Sequence, residues 1–452
     1  MTMSFKTILH TAFLAVVAAT LTTSCTFEQE DFFDESAALR ITHENEKLQN
    51  RLITQSADGQ NGWVIQYFVA GTDEADFEGF NLFGRFFDNG KVTLASNHRY
   101  LRNGNANKYT EYTSCYEMLA EEGPVLAFNT WNDILTVFVD PVSPSAAPNA
   151  ITNDGEGMNG DQNLVLKALG DDDILFRGER HQAEVRFVPC DRTWEEYIAA
   201  TAELKSKIAT PTLTSYYVTN GIDTMYFAGL NRGVFVYGDR VVDPLIRKTL
   251  SCVFTPQGFR INHVDSLGEN TFQEFTLAED ATKLLSEDGQ TQVIACWDNY
   301  IINHTALWKM DASLFSSEQK SLFDQIDAAL KVYNANYSLQ SIGLGKSSGG
   351  NAITGLIFTF YTNKAQTKTN TMGLALNYSK PGFGQIQIVS KADDGLDKNM
   401  ETICGRSADM ERLVRAFAAT MAGVYDITPD NYFLPTGGTF TASGSGTTFK
   451  LN

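Results

Sequence analysis

Phe86-Phe87-Asp88-Asn89-Gly90-Lys91-Val92 sets the class of the fold. Two apolar runs flank Asn-Gly, and that dipeptide accepts the left-handed backbone a type I′ hairpin turn requires. Upstream, Trp63-Val64-Ile65-Gln66-Tyr67-Phe68-Val69 is a strand-like run of large apolar residues. Downstream, strands are expected at 108–118, 124–129, 133–139, 163–169, 173–178 and 183–189. The series continues at 223–228, 233–237, 250–255, 258–263, 272–277 and 291–297. It ends at 353–361, 371–378, 384–390, 438–442 and 446–451. Short strands separated by Gly, Asn and Asp turns point to antiparallel sheets. The clearest loops are 141–162 and 363–370.

Four stretches carry helical period instead. Residues 35–55 place Ala38, Ile41, Leu48 and Leu52 on one face. Residues 194–208 follow the capping box Thr193-x-x-Glu196, with Trp194, Ile198 and Ile208 sharing a face. Residues 317–335 follow Ser316-x-x-Gln319, and Leu322, Ile326, Leu330 and Tyr333 form their stripe. Residues 408–422 follow Ser407 and align Met410, Leu413, Val414, Phe417 and Met421, with Gly423 as a stop. The first three helices each open a run of strands. The expected architecture is α+β and β-dominated, in consecutive modules of one helix packed on an antiparallel sheet: 35–192, 193–312 and 313–452.

Across 452 residues, 43% are hydrophobic and 20% charged, the balance of a globular chain rather than a disordered or coiled-coil one. The formal charge of −19 argues against nucleic acid as a partner, because that recognition rests on basic patches.

The N-terminus reads as a targeting segment. Lys6 supplies a positive start and Ile8 to Leu21 an apolar core too short to span a bilayer. Thr22-Thr23-Ser24-Cys25 follows, so 1–24 reads as a lipoprotein signal peptide and Cys25 as the lipidated residue. Leu21 sits four residues before Cys25, where the strict pattern has three. Several acyl chains would give a stable membrane lipid anchor. Residues 25–34 form an acidic tether in which Glu28, Glu30 and Asp31 resemble a surface-export signal.

Chemistry is sparse. The remaining cysteines, Cys115, Cys190, Cys252, Cys296 and Cys404, are dispersed and odd in number, which argues against a zinc site or a disulfide scaffold. Cys115, Cys252 and Cys296 read as buried in apolar strands. His43, His98, His181, His263 and His304 have no partner at metal-ligand spacing. Gly343-Leu344-Gly345-Lys346-Ser347 lacks the leading Gly of a phosphate loop, because position 340 is Gln340, and reads as a turn. Asp154, Glu156, Asn159 and Asp161 alternate oxygens in an acidic loop, a weak calcium candidate without the closing Glu of an EF-hand. No catalytic motif and no cofactor site emerge. The segments Tyr109–Tyr116 and Trp297–Tyr300 could expose aromatic rings that stack sugars or meet a partner.

Several segments occur together in one order. Cys25 and its acidic tail lead to Asp34-Glu35-Ser36-Ala37, Asn61-Gly62-Trp63 and the run Asp88–Ser96. Residues 123–141, from Gly123-Pro124-Val125-Leu126 to Val139-Asp140-Pro141, and Asp173-Ile174-Leu175-Phe176-Arg177-Gly178 follow. This order resembles a family of Bacteroidota surface lipoproteins of uncharacterised function, most closely over about 25–200. That family accompanies starch-utilisation-type outer-membrane uptake systems. The resemblance implies an outer-membrane, lipid-anchored protein facing the cell exterior, a non-enzymatic binding or accessory component in capture and uptake of a glycan or peptide. Its partners would be a TonB-dependent transporter and that transporter's lipoprotein. The alternatives are a surface adhesin or structural protein, and an extracellular polymer hydrolase.

Overall fold

The structure, a computed structural model, describes residues 36–69, 77–121, 123–140, 158–210, 215–237, 248–295, 308–347, 353–382, 384–390, 395–433 and 435–452. Strand outweighs helix, and the strands form three antiparallel sheets. The fold is the β-dominated α+β type expected from the sequence.

The chain opens with α1 (Ala37–Gln55), whose N-terminus is capped by the Ser36 hydroxyl, 3.3 Å from the Leu39 amide. The strands β1 (Trp63–Phe68), β2 (Phe80–Phe86), β3 (Lys91–Ser96), β4 (Thr110–Cys115), β5 (Glu117–Ala120), β6 (Pro124–Ala127), β7 (Asn163–Leu169), β8 (Ile174–Gly178) and β9 (Glu184–Pro189) follow. Their order is β4-β3-β2-β1-β9-β8-β7-β6-β5. The two edge strands are joined by one residue, the buried Tyr116. The edges therefore meet, and β4 with β5 acts as one interrupted stave in a ring of eight. Leu48 and Leu52 of α1 are buried in this ring's core, and Trp63 Nε1 donates to the Leu52 carbonyl at 3.1 Å.

Two expectations change here. The Phe86–Val92 hairpin forms, but Asn89 keeps negative φ and only Gly90 is left-handed, at +72°. The Gly90 amide donates to Phe87 O (3.2 Å) and Phe87 N to Lys91 O (2.9 Å), a three-residue loop instead of a two-residue type I′ turn. Residues 133–139 are not a strand. They hold a 3-10 turn, Thr136–Phe138, because Asn132 ties its side chain to Tyr112 O, Ser114 Oγ and the Ile134 amide. Ile134, Val137 and Phe138 are still buried, packed in the barrel core with Tyr67 and Phe80.

The second unit begins with α2 (Trp194–Ile208), entered through the complete Thr193–Glu196 capping box. Its strands are β10 (Ser215–Thr219), β11 (Thr224–Ala228), β12 (Val234–Tyr237), β13 (Lys248–Phe254), β14 (Gly258–Leu267), β15 (Asn270–Leu277), β16 (Leu284–Ser286) and β17 (Gln292–Ala295). They form a closed barrel, β10 pairing with β17 from Tyr216↔Ala295 to Thr219↔Gln292. Alternate residues such as Tyr216, Val218, Leu250, Cys252, Phe259, Ile261 and Phe275 are buried in the core. Eight staves leave room for little more than side chains, and the aromatic rings fill it.

The third unit holds β18 (Trp308–Lys309), α3 (Ser317–Tyr333), β19 (Ser338–Lys346), β20 (Thr354–Tyr361), β21 (Thr369–Ser379), β22 (Gln385–Ser390), α4 (Lys398–Cys404), α5 (Met410–Thr420), β23 (Gly423–Pro429), β24 (Gly438–Ala442) and β25 (Thr448–Leu451). Its eight strands follow chain order, and the two edges are bonded to each other. Met310 bridges Leu451, and Lys309 and Asn452 exchange backbone hydrogen bonds of 2.9 and 2.8 Å. The Gly343–Ser347 run, read as a turn, is largely strand β19: Gly343 and Gly345 face Ile357 and Gly355 across the ladder. Gly423 starts a strand rather than ending a helix, and α5 ends at Thr420.

The chain is thus a threefold succession of eight-staved antiparallel meanders, each packed with a helix. The first two are joined by α2. Its start packs Trp194 and Tyr197 against Val64, Phe83 and Ala95 of the first barrel, while Leu204 and Ile208 enter the second barrel's core. Across the same junction Arg186 of β9 holds Asp173 (2.6 Å) and Glu274 of β15. Glu274 also faces Arg260, 3.5 Å away, whose guanidinium is held down to about 10 by burial first and by the neighbouring Arg186 second. Replacing Arg186 by alanine strips two carboxylates of a partner in a half-buried setting. The expected cost is about 1–2 kcal/mol, read by chemical denaturation. Unchanged stability would mean that the network does not join the barrels.

Candidate functional site

With the first two barrels filled by their own side chains, a concavity lies between them. It is a cleft of about 690 Å³, within the usual range of ligand sites. Its first wall comes from the first barrel: Glu78 to Asn81 at the start of β2, and Ser96 to Arg99 where β3 ends. The second wall is α2, which presents Ile198, Thr201, Ala202 and Lys205. Their spacing of three, four and seven residues places them on one helical face. The second barrel closes the cleft with Asn231, Arg232 and the end of β13.

Backbone geometry fixes this arrangement. The Gly79 amide donates to Cys252 O at 3.0 Å, and Asn81 Nδ2 to Phe254 O at 2.7 Å, so the leader of β2 is tied to β13. Gly233 is left-handed (φ +72°), and a Cβ there would stand 2.6 Å from Glu78 Cβ. Glycine at 233 is therefore what lets Glu78 approach.

Glu78 Oε1 lies 3.2 Å from Arg99 Nε. Burial pushes the Glu78 carboxyl up, against the opposing pull of Arg99 and Lys205. Lys205 Nζ sits 4.8 Å over the Phe254 ring. His98 is buried among Phe80, Tyr100 and Phe138, and its Nε2 bonds Ile134 O at 3.0 Å. Burial lowers its pKa to about 4, so the ring stays neutral and serves the wall rather than proton transfer. Phe80 and Phe254 are 3% and 6% exposed. The lining of the cleft is mixed: Ile198, Ala202 and Val234 share it with the asparagine amides and the cations.

None of these residues was singled out for function in the sequence. They come from loop, helix and strand positions far apart in the chain. Of the residues that were, 1–24, Cys25, Glu28, Glu30, Asp31, Asp154 and Glu156 lie outside the described residues. Neither Asn159 nor Asp161 lines the cleft, and Asp161 sits under the β8–β9 turn. The Asp161 carboxylate accepts from the amides of Arg180 (2.9 Å), His181 (3.0 Å) and Ala183 (3.2 Å), so its oxygens are occupied by backbone. Tyr67 clamps the same residue through its hydroxyl, at 2.8 Å from Asp161 O. Among the described residues no group of three His, Cys, Asp or Glu is placed to hold a metal.

Cys115, Cys190, Cys252 and Cys404 are unbridged. Cys190 and Cys252 are buried and their thiols pushed up by burial, whereas Cys115, expected inside, is exposed on β4. Exposed rings do occur where the sequence allowed them: Tyr112 is 38% exposed, and nearby Trp131 is 47% exposed under the Arg102 guanidinium. Trp297–Tyr300 lies outside the described residues.

Residues 29–279 match the model of a domain of unknown function, DUF4302. The chain belongs to that family. The matched span contains the whole first barrel, α2 and every residue that lines the cleft, and it stops between β15 and β16 of the closed barrel. No curated protein matches the chain. No helix among the described residues is long and apolar enough to cross a membrane.

Proposed function

We propose that this protein is a lipid-anchored component of the outer membrane, displayed outward, that captures a glycan or peptide in the cleft between its first two barrels and serves a TonB-dependent transporter and its lipoprotein partner. The observation that carries the binding role is the cleft itself, a recess of mixed polar and apolar lining built from three separate elements and contained in the family's matched span. Among the described residues its one carboxylate, Glu78, is held by a guanidinium, an arrangement suited to binding rather than to acid–base work on a substrate. The anchoring role rests on the sequence around Cys25, and the nutrient-uptake setting on the resemblance described above.

The test is fractionation of cells carrying Cys25→Ala. The variant is expected in the soluble periplasmic fraction, without acyl label. Neutralising Glu28, Glu30 and Asp31 together is expected to keep the acyl label while abolishing protease accessibility on intact cells. Membrane-bound, acylated Cys25→Ala protein would contradict the anchor. Unchanged accessibility of the triple variant would contradict the export signal.

A further inference from the structure

The cleft's charge is opposite in sign to that of the chain. The protein carries a formal charge of −19, yet among the described residues Arg99, Lys205 and Arg232 line the cleft against one carboxylate, that of Glu78. Arg99 is engaged by Glu78. Lys205 and Arg232 make no salt bridge among the described residues. They come from different elements, α2 and the 3-10 turn Leu230–Arg232 before β12. A recess of one sign, walled by protein, focuses its field and concentrates ligands of the other sign.

Beside the cations, amides share the lining with apolar Ile198, Ala202 and Val234. Asn81, Asn97, Asn107 and Asn231 all line the cleft. Asn97, Asn107 and Asn231 can offer both donor and acceptor atoms, the pairing that vicinal hydroxyls use, whereas Asn81 Nδ2 is committed to Phe254 O. The lining phenylalanines, Phe80 and Phe254, are buried and present no open ring to a ligand.

Resting on the capture role assigned above to this cleft, we propose that its ligand is an acidic oligosaccharide, with sugar carboxylates against Lys205 and Arg232 and sugar hydroxyls on the asparagine amides. The volume of about 690 Å³ is enough for a few sugar units. Glu78 competes with the ligand for Arg99. Removing its charge therefore favours binding, while removing Lys205 or Arg232 opposes it.

The experiment is calorimetric titration of the full chain in detergent with three probes: trigalacturonate, its neutral counterpart galactotriose, and triglutamate. Trigalacturonate is expected to bind at least about tenfold more tightly than galactotriose, and to weaken as salt rises from about 50 to about 300 mM. The Lys205→Gln/Arg232→Gln double variant should lose about tenfold or more in trigalacturonate affinity, and Glu78→Gln should gain affinity. These opposite shifts distinguish a charge effect from a folding defect. Equal binding of galactotriose, or an unaffected double variant, overturns the acidic-ligand assignment and leaves neutral capture standing. Triglutamate binding as tightly as trigalacturonate overturns the saccharide assignment alone. Silence from all three probes overturns it and removes the support for capture at this cleft.

Discussion

Trp63→Ala is expected to destabilise the first barrel by about 3–5 kcal/mol, the range for deleting a fully buried indole. Trp63 is 0% exposed and opens β1. Its ring lies 6.1 Å from Phe187 on the neighbouring β9, and the Arg51 guanidinium of α1 stands 5.7 Å from its centroid. Its Nε1 satisfies the Leu52 carbonyl near the end of α1, where a helix has unpaired acceptors. One side chain thus joins helix, strand and barrel core. Truncation leaves a cavity and removes one of two donors to the Leu52 carbonyl, which keeps the Ser56 hydroxyl at 2.7 Å, so the cavity dominates the cost. Thermal unfolding should show the transition of the first barrel lowered by on the order of 10 °C. A shift within about 2 °C would mean that α1 is held elsewhere.

The second large effect is at Asp161. Its carboxylate, 4% exposed at the residue level, accepts backbone amides from the turn between β8 and β9. It lies so close to Gly178 that a Cβ there would fall 1.9 Å from Oδ2. Asp161→Ala leaves those amides without an acceptor, and hydrogen bonds to a charged group contribute about 1.5–3 kcal/mol each. Some amides regain water on relaxation, so the expected loss is about 3 kcal/mol, with Asp161→Asn closer to about 1 kcal/mol. Calcium at millimolar concentration should leave the melting temperature of the unaltered protein where it is, because the carboxylate is already saturated. A rise of several degrees on adding calcium would reverse this assignment and restore Asp161 as a ligand.

Much of the local structure was legible. Thr193–Glu196 and Ser316–Gln319 announce helices through capping boxes, and both boxes form. Where a local rule and packing agree, the sequence suffices. It misled where packing overrode pattern. Residues 133–139 are apolar enough for a strand, but the bonds of Asn132 bend them into a turn against the core. Gly343 and Gly345 look like a flexible turn, yet they pair with Ile357 and Gly355 in the β19–β20 ladder. Barrel closure was not legible at all. It depends on pairings such as Tyr216↔Ala295 and Met310↔Leu451, which join residues distant in sequence and leave no periodic trace. The cleft was hidden for the same reason. Glu78, Arg99, Lys205 and Arg232 are ordinary charged residues until two barrels and a shared helix bring them together. The four-residue face Ile198, Thr201, Ala202, Lys205 was the one available clue, because α2 is too polar on that side to be wholly buried.

Ligand is proposed to enter between the first two barrels. Hydrogen exchange of the full chain, with and without a mixed digest of extracellular polysaccharide and protein, tests it most directly. Protection confined to 78–81, 96–99, 198–205 and 231–234 is the predicted result. Protection mapping instead to the exposed Tyr112–Trp131 face or to the third barrel would contradict it.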